Sequence, residues 1–174
     1  MQSSAEGLTL SLPAAAPDPV SSTIVLQVKG PLDIERAGLT QESDGSIVLP
    51  AREARLHGSE LQYETGEQRD NIGFWTNPDD WADWEFKVTR PGNFDVTAEV
   101  AALERASFEV SVGDSAARGE AAATGDYGRF RAVKLGTLHI ASPGKVTLVV
   151  RSVKNGWHPL NLKAIRLNPA AASP

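Results

Sequence analysis

The chain has 174 residues, 41% of them hydrophobic and 22% charged, with a formal net charge of −5 at pH 7 and no cysteine. That length holds one well-filled core or one domain with an appendage, and the lack of cysteine excludes disulfides, thiolate metal sites and a cysteine nucleophile. The interspersed charges form no basic stripe and no apolar run could cross a membrane, so we expect neither a nucleic-acid partner nor a membrane partner.

The first 45 residues contain few element signals. Residues 1–6 have no positive or apolar region of a secretory signal, so a protein beginning here would stay in the cytoplasm, whereas the signal of a longer protein would lie upstream. Residues 23–28 predict one strand, and alternating leucines at 8, 10 and 12 predict a second. Because an isolated hairpin is marginal in water, we interpret 1–45 as remnant strands of an upstream β domain followed by a linker.

Between residues 46 and 168, short alternating strands recur between turn residues. The predicted strands lie at 84–88, 94–100, 108–112, 130–135, 138–140, 146–151 and 160–167. Pro-Gly pairs at 91–92 and 143–144 supply turns. The period of two, without a sustained helical stripe, predicts an all-β fold, an antiparallel β-sandwich over 46–168. Residues 169–174 are predicted to form a disordered tail.

Four segments of this region resemble family 6 and family 35 carbohydrate-binding modules. In chain order they are NIGFWTNPDDWADWEF at 71–86, TGDYGRF at 124–130, SPGKVTL at 142–148 and NLKAI at 161–165. The resemblance implies a jelly roll of the galactose-binding-domain-like type. It also implies a glycan as the ligand, either an oligosaccharide or a polysaccharide.

A second resemblance lies in residues 8–28. The leucine-rich segment at 8–13, Ala-Pro-Asp-Pro at 16–19 and the strand at 24–28 are similar to the end of a bacterial family 29 α-L-fucosidase. Together the two resemblances imply the C-terminal part of a fucosidase-like glycoside hydrolase with an upstream catalytic domain. The location would then be periplasmic or extracellular if that hydrolase is secreted.

Aromatic side chains on loops are the first candidates for sugar contacts, because a sugar ring packs its C–H face on an aromatic ring. In the resembled modules, the loops that correspond to Trp75 and Tyr127 supply these aromatics. Of the neighbours Phe74 and Trp75, we expect Trp75 to face the loop side. Tyr127 lies between turn residues, where it either binds sugar or anchors the surface.

The loop at 154–159 and two polar residues complete the candidate site. Trp157 and His158 follow an Asn-Gly turn and offer a stacking face and hydrogen-bonding groups, although Trp157 could instead cap the open end of the sandwich. Asn161 matches a family 6 asparagine that contacts sugar. Glu64 is included because it could reach the same end, although most loop carboxylates are simply solvated. Trp81 and Trp84 are expected to be packed, Trp84 in the core.

The calcium site of the resembled modules is predicted to be lost. Those modules hold calcium with carboxylates of the first and last strands, and calcium requires several hard oxygen ligands. Here Arg52 stands in the first-strand position and Lys163 in the last-strand position. We therefore expect no metal and no other cofactor.

No catalytic residues are expected in this chain. A glycosidase needs two carboxyl groups about 5–10 Å apart across a cleft, whereas Asp83 and Glu85 lie on one predicted strand face. No nucleophile elbow, phosphate loop or zinc-protease signature occurs. The leading hypothesis is a module that targets an attached enzyme to glycan. The alternative is a structural β-sandwich that packs on a catalytic domain and binds no sugar.

Overall fold

A computed structural model describes residues 2–4, 7–9, 15, 23, 38–66 and 69–171. The chain divides into two compact units, Met1–Glu35 and Arg36–Pro174. In the first unit, β1 (Gln2–Ser4) and β2 (Gly7–Thr9) form an antiparallel pair with Gln2 opposite Thr9. The strand predicted at 23–28 lies outside the described residues apart from Thr23, which is not in a strand, and positions 10–12 of the other predicted strand are also outside them.

Within its described residues, 38–66 and 69–171, the second unit contains twelve further strands and one short 3-10 turn at Ala51–Glu53. The strands are β3 (Leu39–Thr40), β4 (Ile47–Pro50), β5 (Arg55–His57), β6 (Gln62–Glu64), β7 (Asn71–Gly73), β8 (Trp81–Val88), β9 (Gly92–Ala102), β10 (Ala106–Val112), β11 (Ser115–Ala121), β12 (Arg131–Ile140), β13 (Gly144–Ser152) and β14 (Leu160–Pro169). In the part of the chain that the structure describes, no helix has the length and apolarity needed to cross a bilayer.

These strands form two six-stranded sheets. The first has the order β11–β10–β13–β8–β3, with β5 also paired to β8, and the second has the order β12–β9–β14–β7–β6, with β4 also paired to β14. The pairs are antiparallel except for β3 with β8. The predicted all-β sandwich is therefore confirmed.

The core lies between the sheets and follows the alternation of the sequence. In β8, Trp84 and Phe86 are buried while Glu85 and Lys87 are exposed. Phe94 of β9 is buried in the same way. Burying one such large apolar side chain contributes roughly 1.5–3 kcal/mol to the stability of the fold. The burial of these alternating side chains therefore fixes which face of each strand turns inward.

A bulge in β14 accounts for the irregular apolar spacing of that strand. Leu162 lies opposite Val100 and Ala164 opposite Glu99, so Lys163 is the extra residue of β14. The bulge restores the inward direction for Ile165, which is fully buried.

The sandwich begins before the predicted boundary at Ser46. Leu39 lies opposite Phe86, and the Gln41 side chain accepts hydrogen bonds from the N–H groups of Thr89 (3.1 Å) and Arg90 (2.7 Å) while its amide donates to the Gly45 carbonyl at 2.8 Å. Residues 38–45, interpreted as linker, thus belong to the sandwich. At the other end, β14 includes residues 168–169, and 172–174 lie outside the described residues.

Candidate functional site

A pocket of about 500 Å³ opens where β9 ends and β14 begins, and we call it the end pocket. Three segments build it: the β6–β7 hairpin with the residues after it, the loop around Tyr127, and the start of β14. The lining residues are Glu64, Arg69, Asn71, Phe74, Trp75, Thr76, Asp126, Tyr127, Gly128, Pro159, Leu160 and Asn161.

The polar part of the end pocket is organised around the Glu64 carboxylate, whose side chain is only 12% exposed. Arg69 donates to Oε1 at 2.7 Å, and the amide groups of Asn71 and Asn161 donate to Oε2 at 2.9 and 3.3 Å. The β6–β7 pairing places Glu64 directly opposite Asn71, which explains their contact. The carboxylate is therefore fixed in position by the protein alone.

Gly73 makes room for this carboxylate. A Cβ atom at residue 73 would overlap the Glu64 carboxyl group and would also crowd the Asn161 amide oxygen. The missing side chain therefore lets Glu64 lie directly against the backbone of β7.

Asn161 links the two walls of the end pocket. Its Nδ2 donates to Glu64 and also to the Tyr127 carbonyl, at 3.0 Å. A primary amide has two N–H donors, so both are occupied by the protein. The predicted sugar contact of Asn161 is thereby restricted to its oxygen Oδ1.

The orientations of Phe74 and Trp75 are the reverse of the expectation. Phe74 is 56% exposed, whereas Trp75 is buried and donates from Nε1 to the Asp80 carbonyl at 3.1 Å. The physical reason is the Phe74 backbone, which adopts φ 53° and is followed by a tight turn in which the Thr76 N–H donates to the Phe74 carbonyl at 2.8 Å. That turn directs the indole into the sandwich, although Trp75 still lines the pocket.

Backbone strain is concentrated on either side of β7. Asp70, at φ 150°, and Phe74 are the non-glycine residues with positive φ in the described part of the chain. Asp70 is held by the Tyr63 hydroxyl, which donates to its carboxylate, and this hydrogen bond raises the pKa of Tyr63. Such conformations cost of order 1–3 kcal/mol each and cluster at binding sites.

Tyr127 lies at the surface, as expected, with 36% of its area exposed. Its loop is anchored by buried Thr124, whose hydroxyl accepts from the Ala102 N–H at 3.0 Å and donates to the Asp126 carbonyl at 2.9 Å. The Asp126 carboxylate accepts from the Gly128 N–H at 2.6 Å. These bonds fix the position of the phenol beside the pocket.

Two predicted candidates do not line the end pocket. Trp157 packs against Trp75 with ring centroids 5.1 Å apart, and its buried Nε1 has no hydrogen-bond partner among the described residues. His158 lies 3.3 Å from the Glu104 carboxylate instead. Since the Trp157 ring is used against Trp75, the structure supports the alternative that Trp157 caps the sandwich.

The end pocket includes polar residues that the sequence interpretation missed. Arg69, Asn71 and Asp126 were not identified as site residues. The aromatic Phe74 was missed as well, because it was expected to point into the core. A hairpin between 62 and 73 would have placed Asn71 opposite Glu64, so the signal for Asn71 was strand pairing and not residue type. The left-handed backbone of Phe74 has no local sequence signal.

The two cations at the predicted calcium positions have other contacts. Arg52 lies 3.6 Å from the Asp70 carboxylate, and the Lys163 ammonium lies 5.1 Å from the centre of the Phe130 ring. Among the described residues, no group of three or more His, Cys, Asp or Glu side chains is placed to hold a metal ion.

Comparison with known proteins shows the fold. No family model and no curated protein sequence matches the chain. The CBM6-3 module of Clostridium stercorarium, solved with cellobiose, is similar with a TM-score of 0.59 and 18% identity over 77% of this chain and 98% of that module. The C-terminal CBM6 of the Zobellia galactanivorans laminarinase LamC has a TM-score of 0.57 and 19% identity over 71% of this chain and 98% of that module. A Podospora anserina GH26-CBM35 mannanase has a TM-score of 0.59 and 19% identity over 75% of this chain. This chain spans only 29% of the length of that protein.

Proposed function

We propose that the sandwich is a non-catalytic carbohydrate-binding module that holds a sugar ring in the end pocket. In this proposal the C–H face of the sugar packs on Phe74 and Tyr127, and its hydroxyl groups donate to Glu64 and to Asn161 Oδ1. The observation that carries the proposal is Phe74, which is 56% exposed although its backbone is strained.

The strain at Phe74 supports a binding role because folding alone gains little from it. An exposed phenylalanine loses most of the free energy of burial, and a left-handed backbone costs about 1–2 kcal/mol for a residue with a side chain. Tyr127 presents a second exposed ring to the same pocket. Two exposed rings beside a fixed carboxylate form the combination of stacking faces and acceptors that a sugar needs.

The similar solved structures support the same proposal. The Clostridium stercorarium module was solved with cellobiose, and a Cellvibrio mixtus module of similar fold was solved with cellotriose. A fold hosts many functions, so this likeness adds to the pocket chemistry and does not replace it.

The role within a larger protein is a further part of the proposal. A module of this kind raises the local concentration of an attached enzyme on its glycan. The motifs at 8–28 favour an upstream α-L-fucosidase-like hydrolase domain. The reading frame upstream of Met1 tests this: a (β/α)₈ barrel there supports it, and an unrelated coding region contradicts it.

We also propose that the module needs no calcium, because Arg52 and Lys163 stand where the resembled modules have carboxylates. A chelator should leave the melting temperature unchanged, and a drop on chelation would contradict this.

The alternative, a structural β-sandwich without ligand, is favoured by one observation. Trp75 is buried and Trp157 packs against it, so two of the three rings predicted to form the sugar-binding surface serve the interior. Under this alternative, the exposed rings of Phe74 and Tyr127 would contact another protein domain.

A glycan array with the whole chain distinguishes the two functions. Phe74→Ala and Tyr127→Ala should each abolish binding to the glycan that the unaltered chain retains. Leu103→Ala is the matched control, because Leu103 is 49% exposed and does not line the end pocket. No binding to any glycan by a folded chain would contradict the proposed function and support the structural alternative.

A further inference from the structure

The charges of the end pocket are unequally distributed. Among its described lining residues, Glu64 and Asp126 are acidic and Arg69 is basic. Arg69 donates to the Glu64 carboxylate at 2.7 Å, so this cation is already paired with one of the two acids. Asp126 forms no ion pair within the part of the chain that the structure describes, and its carboxylate accepts only from the neutral Gly128 N–H there. The pocket therefore presents one uncompensated negative charge.

The pairing of Arg69 also limits its use for a ligand. The Arg69 side chain is 65% exposed, whereas that of Glu64 is 12% exposed. A ligand anion can contact the other Arg69 N–H groups only while the guanidinium stays beside Glu64, since drawing it away would leave the mostly buried Glu64 carboxylate without its paired cation. Removing one partner of a mostly buried ion pair is strongly unfavourable, because the remaining charge is left uncompensated.

Three polar side chains of the pocket, Glu64, Asp126 and Asn161, offer acceptors to a ligand. Both Asn161 N–H donors are committed to Glu64 and to the Tyr127 carbonyl, so Asn161 can offer only an oxygen. The carboxylates of Glu64 and Asp126 offer further oxygens. Hydroxyl groups satisfy such acceptors because they donate, whereas a carboxylate or sulfate group of a sugar has no proton to give at neutral pH.

We infer that the end pocket takes an uncharged sugar unit and discriminates against uronic acids and sulfated sugars, with Asp126 as a residue that determines this specificity. The inference rests on the proposed function of the pocket. Asp126 acts by repulsion: an anion placed beside it meets a like charge, and Arg69, the cation among the described lining residues, is already paired with Glu64.

The test compares matched neutral and acidic ligands on the whole chain. Cello-, xylo- and galacto-oligosaccharides are titrated beside counterparts that carry glucuronic acid, galacturonic acid or a sulfate group. We expect the acidic member of a bound pair to bind at least about tenfold more weakly at low ionic strength. The difference should narrow in high salt, because salt screens the repulsion.

Asp126→Asn isolates the proposed cause. The amide oxygen of asparagine can still accept the Gly128 N–H, so the turn is kept while the charge is removed. We expect the affinity of this variant for the acidic counterpart, taken relative to its affinity for the neutral sugar, to be about fivefold to tenfold higher than that ratio is for the unaltered chain. Asp114→Asn is the control, since it changes net charge equally and Asp114 does not line the end pocket.

Each outcome decides a separate question. An acidic sugar that binds as well as its neutral counterpart would overturn this inference and leave the proposed function standing. An equal gain for Asp126→Asn and Asp114→Asn would also overturn it, because the effect would then come from overall charge. If no sugar of either kind is bound, both proposals fail.

Discussion

Phe74 has an exposed ring and a left-handed backbone, and glycine substitution separates these two properties. Phe74→Gly removes the ring and also the strain of φ 53°, because glycine adopts positive φ without a steric penalty. We expect the free energy of unfolding of the variant to rise by about 0.5–1 kcal/mol, because the relief of backbone strain exceeds the extra chain entropy that glycine loses on folding. The variant should also lose sugar binding. Denaturant unfolding and a glycan titration on the same sample measure both changes.

The matched variant for that experiment is Phe74→Ala, which removes the ring and keeps the strain. It should lose binding without the gain in stability. If Phe74→Gly is clearly less stable than Phe74→Ala, the backbone at residue 74 is not strained as described, whatever happens to binding.

Gly73 offers a second test at a single residue, because its contact with Glu64 is steric. Gly73→Ala would force the Glu64 carboxylate away from β7 and break its bonds to Asn71 and Asn161. We expect a loss of about 1–3 kcal/mol in the free energy of unfolding, as for other overpacked positions. Urea unfolding of the variant measures this loss.

A double-mutant cycle shows whether Glu64 is the cause. In a Glu64→Ala background the carboxyl group no longer occupies the space beside residue 73 and the Asn161 oxygen remains as the milder contact, so Gly73→Ala should cost much less there. The same cost in both backgrounds would mean that residue 73 is constrained by something other than Glu64.

At the scale of elements, the loop before β6 is held by one carboxylate. Asp80 is 2% exposed and accepts hydrogen bonds from the N–H groups of Ser59 (3.2 Å), Glu60 (2.8 Å) and Leu61 (2.9 Å) and from the Asn77 amide (2.9 Å). Burial raises the pKa of this carboxyl, but these hydrogen bonds lower it by more, so the pKa of Asp80 lies below its ordinary value. The loop leads into β6, which contributes Glu64 to the end pocket.

Asp80→Asn should therefore destabilise the sandwich and flatten its acid dependence. An amide offers one acceptor where the carboxylate offers two and turns an N–H group toward backbone donors, so we expect a loss of about 2 kcal/mol at neutral pH. A lowered folded-state pKa means that the contribution of Asp80 is present above its unfolded pKa and is lost as the pH falls below about 4. Unfolding curves from neutral to acid pH should show the variant losing less stability over that range.

The neighbouring residue Asp79 supplies the control, because its side chain is 70% exposed. Asp79→Asn should change the free energy of unfolding by no more than about 0.5 kcal/mol and should keep the acid dependence of the unaltered chain. If the two variants behave alike, Asp80 does not anchor the loop.

The sequence predicted elements better than it predicted their contacts. Alternation placed Trp84, Phe86 and Phe94 inside correctly, since a strand has a fixed period of two and one buried face. It failed at Phe74 and Trp75, because a single left-handed residue reverses the direction of both side chains and leaves no trace in the alternation. Asn71 was missed because its partner Glu64 meets it only through the β6–β7 pairing.

At the scale of the whole molecule, the extent of the folding unit is open to direct measurement. The sequence placed the boundary after residue 45, because residues 38–45 have no alternating pattern. Gln41 contacts the β8–β9 turn through its polar side chain, which accepts hydrogen bonds from the backbone N–H groups of Thr89 and Arg90. Hydrophobic patterning cannot show contacts of that kind.

Two fragments test which boundary is physical. The fragment 36–174 keeps β3 and Gln41, and we expect it to unfold in one cooperative transition. The fragment 46–174 lacks both, so it leaves the Thr89 and Arg90 N–H groups without their acceptor and uncovers part of the β8 edge beside Phe86. At a net value of about 1 kcal/mol for each lost hydrogen bond, the shorter fragment should be about 2–4 kcal/mol less stable. Gln41→Ala in the longer fragment measures the contribution of the Gln41 side chain apart from that of strand β3. This substitution should account for about half of that loss. Equal urea midpoints and slopes for the two fragments would show that the folding unit begins at Ser46 after all.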